Sequence, residues 1–590
     1  MASVELGDSG DGRARVLFSQ DPLLGGMNSR LAPEHIAENQ AAELVNVSLH
    51  DPTRPAKREG YTEIGAGAAG MAASDRRIAR LTELDLGPAT RLLVALVPGT
   101  DGGVYVTTSP SSDGWTRALL DGVTLDIGSD SVVTGRGHDA LWIFPQSGRN
   151  AHALKPDGTI IDCGDENGSP PRDVVAFAYG LARGFAVVRN NVYFTKLFPS
   201  LEDLEEKTAF SRLTDFIPME PGSGASYVAA SWWRDDSLVV FGDRRIDRIS
   251  VNAADPIDST RHVVEQEFGC SAPNSVAAVG DSLYFLDQFL EFRELRQTIQ
   301  ANVAGVSPTP VSDPIRTELS ESGRINSAAA SKSFSVVHGE RVLLFYPRDT
   351  SVDPDYVAVW NTRLRVWEGI WQLGHAMSSG VTSSIDGATK LYTSNGVSDD
   401  ALSAVYRWGG VHSDAGLPVT YRETMRANIG KVPMQVWSPD DIAYAVHGDA
   451  GANCSVMLRT DHNDSLTRIS EATVGSSPTS SFPLLSADFA VEAGDFPLTG
   501  GLPLVTTQRT QVWPKADMES QDGPLYQGIW PLYSMDHPLF DTGYGADPGP
   551  FLQVRVEETS TKAFERRSMT LVAQLIDEPA SSSYSDNSYS

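Results

Sequence analysis

YVAASWWRDDSLVVFGDRRIDRISV, Tyr227 to Val251, is the stretch that decides the fold. It opens on small and aromatic residues, breaks at Asp235-Asp236, and runs through the apolar Leu238–Phe241. It breaks again at Gly242-Asp243 and ends on a run that carries arginine. Short β-branched or aromatic runs separated by Asp and Gly turns read as strand, turn, strand, turn, strand.

The same plan returns downstream. NSVAAVGDSLYFLDQFLEFRELR, Asn274 to Arg296, is a second copy when the Asp-Ser-Leu triplets at Asp236 and Asp281 are aligned. FSVVHGERVLLFYPRDTSVDPDYVAVWNTRLRVWEGIW, Phe334 to Trp371, is a third, with a longer turn. SSGVTSSIDGATKLYTSNGVSDDALSAVYRWGG, Ser378 to Gly410, is a fourth. RLLVALVPGTDGGVYVTT from Arg91, DALWIFPQSGRNAHALKPDGTIIDCG from Asp139 and GFAVVRNNVYFTKL from Gly184 fit more loosely. A period of about 40 to 50 residues with three or four strands per unit is the signature of a β-propeller. Each small sheet cannot bury both faces alone, and stacking around an axis solves this while removing long free edges. The expectation is an all-β chain with a β-propeller of six or seven blades over residues 75–412.

Texture changes after Gly410. Residues 413–578 read as a second all-β domain, a β-sandwich or small β-barrel, with a long surface loop over 516–547. The Ser-rich 579–590 reads as a flexible tail and 1–24 as a flexible N-terminus.

Composition narrows the function. The chain has 590 residues, with 47 Lys and Arg against 76 Asp and Glu, a net charge of −29. Such a surface repels phosphate and disfavours a protein that grips nucleic acid, though not one that nucleic acid slides past. No apolar run reaches the roughly 18 residues of a membrane-spanning helix. The first 25 residues lack the basic start and apolar core of a signal peptide, so Sec export is not expected. Cys163, Cys270 and Cys454 lie far apart and read as buried thiols rather than a disulfide or zinc framework.

Chemistry-bearing motifs are missing from the sequence. There is no GxxxxGK[ST], HExxH or GxSxG, and no GxGxxG that opens a βαβ unit. GDSG at Gly7–Gly10 lacks the preceding barrel with His and Asp that a serine protease needs. Asp235, Asp236, Asp243, Asp281 and Asp287 recur near blade turns, where Asp caps its own backbone more readily than it serves as a glycosidase carboxylate. DHND (461–464) and DPDY (353–356) offer clustered oxygens without the spacing of a calcium loop. Trp360, Trp367 and Trp371 alternate with polar residues and read as packing between blades. No catalytic, cofactor or metal residue is assigned, and the chain is not read as an enzyme.

Ahead of the propeller lies GGMNSRLAPEHIAENQAAELVNVSLHDPTRPAKREGY, Gly25 to Tyr61. Within an arm over 25–74, Pro33 sits at a plausible helix start. Glu34 to Val45 can make about three turns, with Ile36, Leu44 and Val45 available to pack. Arg54, Lys57 and Arg58 form a basic exit that could meet an acidic neighbour. Alternatively, the segment covers a blade or supplies the strand that closes the ring.

The order of these segments resembles the tail nozzle proteins of short-tailed bacteriophages, virion proteins built on a propeller. The resemblance starts with Gly25-Gly26-Met27-Asn28, Gln40-Ala41, Asn46-Val47 and Gly60-Tyr61. It continues through NNVYFTKLFPSLEDLEEKTAFSRLTDFIPM (190–219), WWRDDSLVVFGDRRIDRI (232–249), GCSAPNSVAAVGDSLYFLD (269–287), VSDPIRTEL (311–319), VAVWNTRLRVW (357–367) and YRETMRANIGKVPMQVW (421–437). It spans about residues 22 to 465. It implies a virion tail component, made in the host cytoplasm, that forms a homo-hexameric ring below the portal–adaptor proteins. The ring would support fibre or tip proteins, and viral DNA would pass through without specific binding. It also implies an assembly interface, for which the candidates are Gly25, Gly26, Asn28, Arg30, Gln40, Asn46, Arg54, Lys57, Arg58 and Tyr61. The competing readings are a receptor-binding or glycan-degrading propeller of the tail and a cellular propeller scaffold.

Overall fold

The computed structural model describes residues 22–64, 78–98, 102–219, 226–298, 303–395, 404–429, 436–473 and 551–576 apart from short breaks. Strands at 4–6, 15–19, 504–511, 513–514 and 545–546 are also described. The loop expected at 516–547 (but for 545–546), the tail at 579–590 and the GDSG motif lie outside the described residues. The chain divides into two units. One holds Gly60–Arg365 and Trp371–Gly410; the other holds Met1–Glu59, Val366–Ile370 and Val411–Ser590.

The first unit is a β-propeller. Among the described residues seven antiparallel sheets follow one another, with inner strands Arg80–Asp85, Val132–Arg136, Ala176–Gly180, Tyr227–Trp233, Ala277–Val279, Phe334–His338 and Met377–Ser383. Neighbouring inner strands pack in that order, the fourth reaching the fifth through the turn Pro273–Ser275. The seventh packs against the first, so the cycle closes. The quoted stretch is the fourth blade, with its three strands at Tyr227–Trp233, Ser237–Gly242 and Ile246–Ser250.

The second strand of each blade explains the apolar runs in the sequence. Ser237–Gly242 and Leu141–Pro145 are buried along their whole length, because a blade's middle is covered by a neighbour on each face. An alternating pattern suits a strand with one wet face; a continuous one suits this position. The cores lie between blades. Leu84 and Val94 of the first blade pack with Ile143 and Leu154 of the second. Trp142 and Phe144 pack with Phe177 of the third, Phe185 with Leu238 and Val240 of the fourth, and Trp233 and Phe241 with Leu283 and Phe285 of the fifth.

Ring closure uses the end of the arm. Tyr61–Ile64 pairs antiparallel with Val405–Trp408 as the outer strand of the seventh blade. Tyr392 and Val405 of that blade share a core with Leu81, Tyr105 and Trp115 of the first. A strand from before the first blade thus completes the last, and opening the ring requires breaking a β ladder.

The second unit is all-β and built on two sheets. One sheet runs in the order Val4–Leu6, Arg15–Ser19, Phe564–Ile576, Val436–Gly448 and Leu504–Gln511. The facing sheet contains Gln40–Val45, Leu417–Met425, Phe551–Ser560, Asn453–Thr460 and Asn463–Thr473. Tyr421 and Phe564 meet across the two sheets with ring centroids 5.0 Å apart.

Two expectations are corrected here. The helix over Glu34–Val45 does not form: residues 34–38 are turns and Gln40–Val45 is a strand. Val45 is paired in parallel with Ile370 and antiparallel with Arg422. Two-sided pairing, with Ala41 and Leu44 buried, overrides the helical preference of Ala, Glu and Leu. Nor is the N-terminus merely flexible, because Val4–Leu6 pairs with Arg15–Leu17, and Arg15–Ser19 pairs with Thr570–Gln574 at the sheet edge.

Candidate functional site

The arm residues singled out in the sequence are tied to one another. Gln40 Oε1 accepts from Asn28 Nδ2 at 3.1 Å and from the Ala37 amide at 3.1 Å, and Gln40 Nε2 donates to Gly25 O at 3.4 Å. A Cβ on Gly25 would stand 2.6 Å from Gln40 Cγ. Gly26 has φ +64°, and a Cβ there would also fall on the Trp367 carbonyl oxygen. Asn46 has φ +54°, a conformation Asn tolerates better than most residues. It donates from Nδ2 to Thr420 O at 2.8 Å and accepts at Oδ1 from Arg58 Nε at 2.9 Å.

The basic run meets acidic neighbours inside the same unit. Arg58 is fully buried and binds Asp414 through both terminal nitrogens, at 2.8 and 2.6 Å. Lys57 Nζ donates to Glu558 Oε2 at 2.8 Å, and burial pushes its ammonium below the usual lysine range against the pull of Glu558. Tyr61 is buried in the propeller; its hydroxyl accepts from the His375 amide at 3.0 Å, and its ring lies 4.9 Å from Tyr406 and 5.0 Å from Trp408. Gly26, Asn46, Lys57, Arg58 and Tyr61 are therefore committed within the chain and present no surface to another molecule. Arg30 and Arg54 are exposed; Gly25, Asn28 and Gln40 are half-buried.

The blade aspartates also have structural partners. Asp287 is buried and bonded to Arg293 Nε at 2.5 Å, and Arg234 lies 3.4 Å from Asp281. Asp353 pairs with Lys332 at 3.0 Å, and Asp355 Oδ1 accepts from the Arg348 amide at 2.9 Å. Trp360, Trp367 and Trp371 are buried.

The site that sequence reasoning missed lies on the propeller axis. A cavity of about 640 Å³ is lined by the N-terminal ends of the inner strands, with residues from all seven blades: Arg80, Thr134, Phe177, Ser231, Asn274, Lys332, Ser335 and Ser378 among them. All seven inner strands start on one face, so the cavity is the channel mouth on that face. Arg80 of the first blade reaches across the mouth, and its Nη1 donates to Asn274 Oδ1, beside the fifth blade, at 2.6 Å. Arg80 Nε and Ser335 Oγ are buried, with no hydrogen-bond partner among the described residues. Burial pushes the Arg80 guanidinium below its usual range, and among the described residues no carboxylate pairs with it. The one signal in the sequence was an arginine opening an inner strand, where the second to fourth blades carry Val132, Ala176 and Tyr227.

No known protein family matches the chain, and no curated protein does. Among solved structures it is similar to U3-55K, at TM-score 0.38 and 11% identity over 58% of this chain and 100% of that one. The WD40 repeats of RRP9 align at TM-score 0.36 and 11% identity over 60% and 99%. A luciferin-regenerating enzyme aligns at 0.31 and 10% over 47% and 90%. At these scores the likenesses carry no argument; the propeller rests on the closed cycle of blades.

Proposed function

We propose that the chain is a structural component of a bacteriophage tail, the nozzle ring below the portal–adaptor complex, assembled as a homo-hexamer that supports fibre or tip proteins. The observation that carries this reading is the interlocked arm. Gly25, Gly26, Asn28, Gln40, Asn46 and Tyr61, the residues on which the resemblance begins, each have a definite architectural role.

The propeller's own axis is not the DNA path in this reading, because the Arg80–Asn274 hydrogen bond crosses its mouth. DNA would pass along the axis of the ring of copies. An acidic wall there would repel phosphates and let the duplex slide. Light scattering and electron microscopy of the purified full chain test this. A sixfold ring with an axial hole and a net-negative wall is expected. A chain that stays monomeric at all concentrations and is absent from phage particles would sink the proposal, as would an arginine-lined wall.

A further inference from the structure

The channel mouth holds an uncompensated cation. Lys332 is neutralised by Asp353 at 3.0 Å, which leaves Arg80 as the net charge of the cavity. One neutral amide, Asn274, accepts from it. Arg80 keeps part of its surface in water, but its Nε is buried without a hydrogen-bond partner among the described residues, and in a chain of net charge −29 an acidic partner would be easy to supply. The polar lining beyond the Lys332–Asp353 pair is instead hydroxyl and amide groups set among apolar residues such as Val133, Phe177 and Val276, and one of them, Ser335 Oγ, is buried without a hydrogen-bond partner among the described residues.

We propose that this mouth is a binding site for a small sugar acid, whose carboxylate neutralises Arg80 and whose hydroxyls bond to Ser335 and neighbouring polar groups. A planar guanidinium matches a carboxylate with two parallel hydrogen bonds. The volume of about 640 Å³ lies within the range of small-molecule sites. One uncompensated positive charge suits a monoanion better than a phosphate dianion, and paired donors and acceptors of the serine and amide kind suit sugar hydroxyls. The proposal is independent of the tail reading.

Titration calorimetry on the full chain, with sodium glucuronate, glucose and inorganic phosphate as separate probes, tests it. Glucuronate should bind, with glucose and phosphate each at least about tenfold weaker, as expected for loss or mismatch of a charge-assisted bond. Asn274→Asp places a permanent carboxylate against Arg80 without changing size. It should weaken glucuronate binding at least about tenfold while leaving the thermal transition no lower than wild type. Arg80→Gln should lose glucuronate binding to a similar degree. No glucuronate binding by the wild type would overturn the proposal, as would glucose binding as well as glucuronate, phosphate binding more tightly, or unchanged affinity in Asn274→Asp.

Discussion

Arg58 and Asp414, 356 residues apart in the chain, form a fully buried two-pronged ion pair, with Asn46 taking the remaining Arg58 edge at Nε. The pair fastens the arm to the strand Ser413–Asp414, at the start of the C-terminal part of the second unit. Removing one partner leaves a buried charge with no counter-charge, so Asp414→Ala should destabilise this unit by about 3–5 kcal/mol. Arg58→Lys should not restore the loss of Arg58, because an ammonium cannot make the fork. Denaturant unfolding of the full chain, with a double-mutant cycle at the two positions, measures both effects.

Gly26 and Gly339 share a backbone conformation, φ +64° and +60°, but not surroundings. A Cβ at Gly339 meets nothing within 4 Å, whereas at Gly26 it would fall on the Trp367 carbonyl. Gly339→Ala should cost about 1–2 kcal/mol of strain alone. Gly26→Ala should cost that plus a further ~1–3 kcal/mol for displacing backbone. Equal thermal shifts for the two variants would show that the arm is not packed as described.

Asp203 completes the capping box of the short helix Leu201–Glu205, as the N3 residue that bonds back to the N-cap Ser200. Burial raises its pKa, but bonds from Lys196 and from the Ser200 amide and hydroxyl outweigh this and hold it down to about 2. A carboxylate with a depressed folded pKa stabilises fully above its unfolded value, near 4, and loses that contribution as pH falls through the folded value. The protection of the Leu204 and Lys207 amides, relative to their intrinsic exchange at the same pH, should therefore fall below about pH 4, and Asp203→Asn should abolish that pH dependence.

All three cysteines are buried, and none forms a disulfide among the described residues. Burial pushes the thiols of Cys163 and Cys270 up to about 12, which leaves little thiolate at neutral pH. A disulfide-exchange reagent should find no reactive thiol in the native protein and all three after denaturation. Rapid native labelling of either residue would contradict the described cores.

The strands were legible because a blade's middle strand must be apolar on both faces, and LVVF at 238–241 and LYFL at 283–286 say so directly. Turn chemistry at Asp235-Asp236 and Gly280-Asp281 then set the repeat. The arm was misread at Gln40–Val45, since QAAELV satisfies a helix and a strand equally well until a partner on each side supplies the hydrogen bonds.

Local composition by itself determined that this protein is all-β, built from repeated small sheets, acidic and free of the familiar catalytic motifs, because those properties rest on neighbouring residues. Tertiary structure alone decided that seven blades close the ring, that Tyr61–Ile64 is the closing strand, and that Lys57 and Arg58 find their acids within the chain. It also brought Arg80 and Asn274, 194 residues apart, to opposite sides of one channel mouth. Ring closure and buried ion pairs depend on which distant segments meet, and no short-range pattern of residues encodes that meeting.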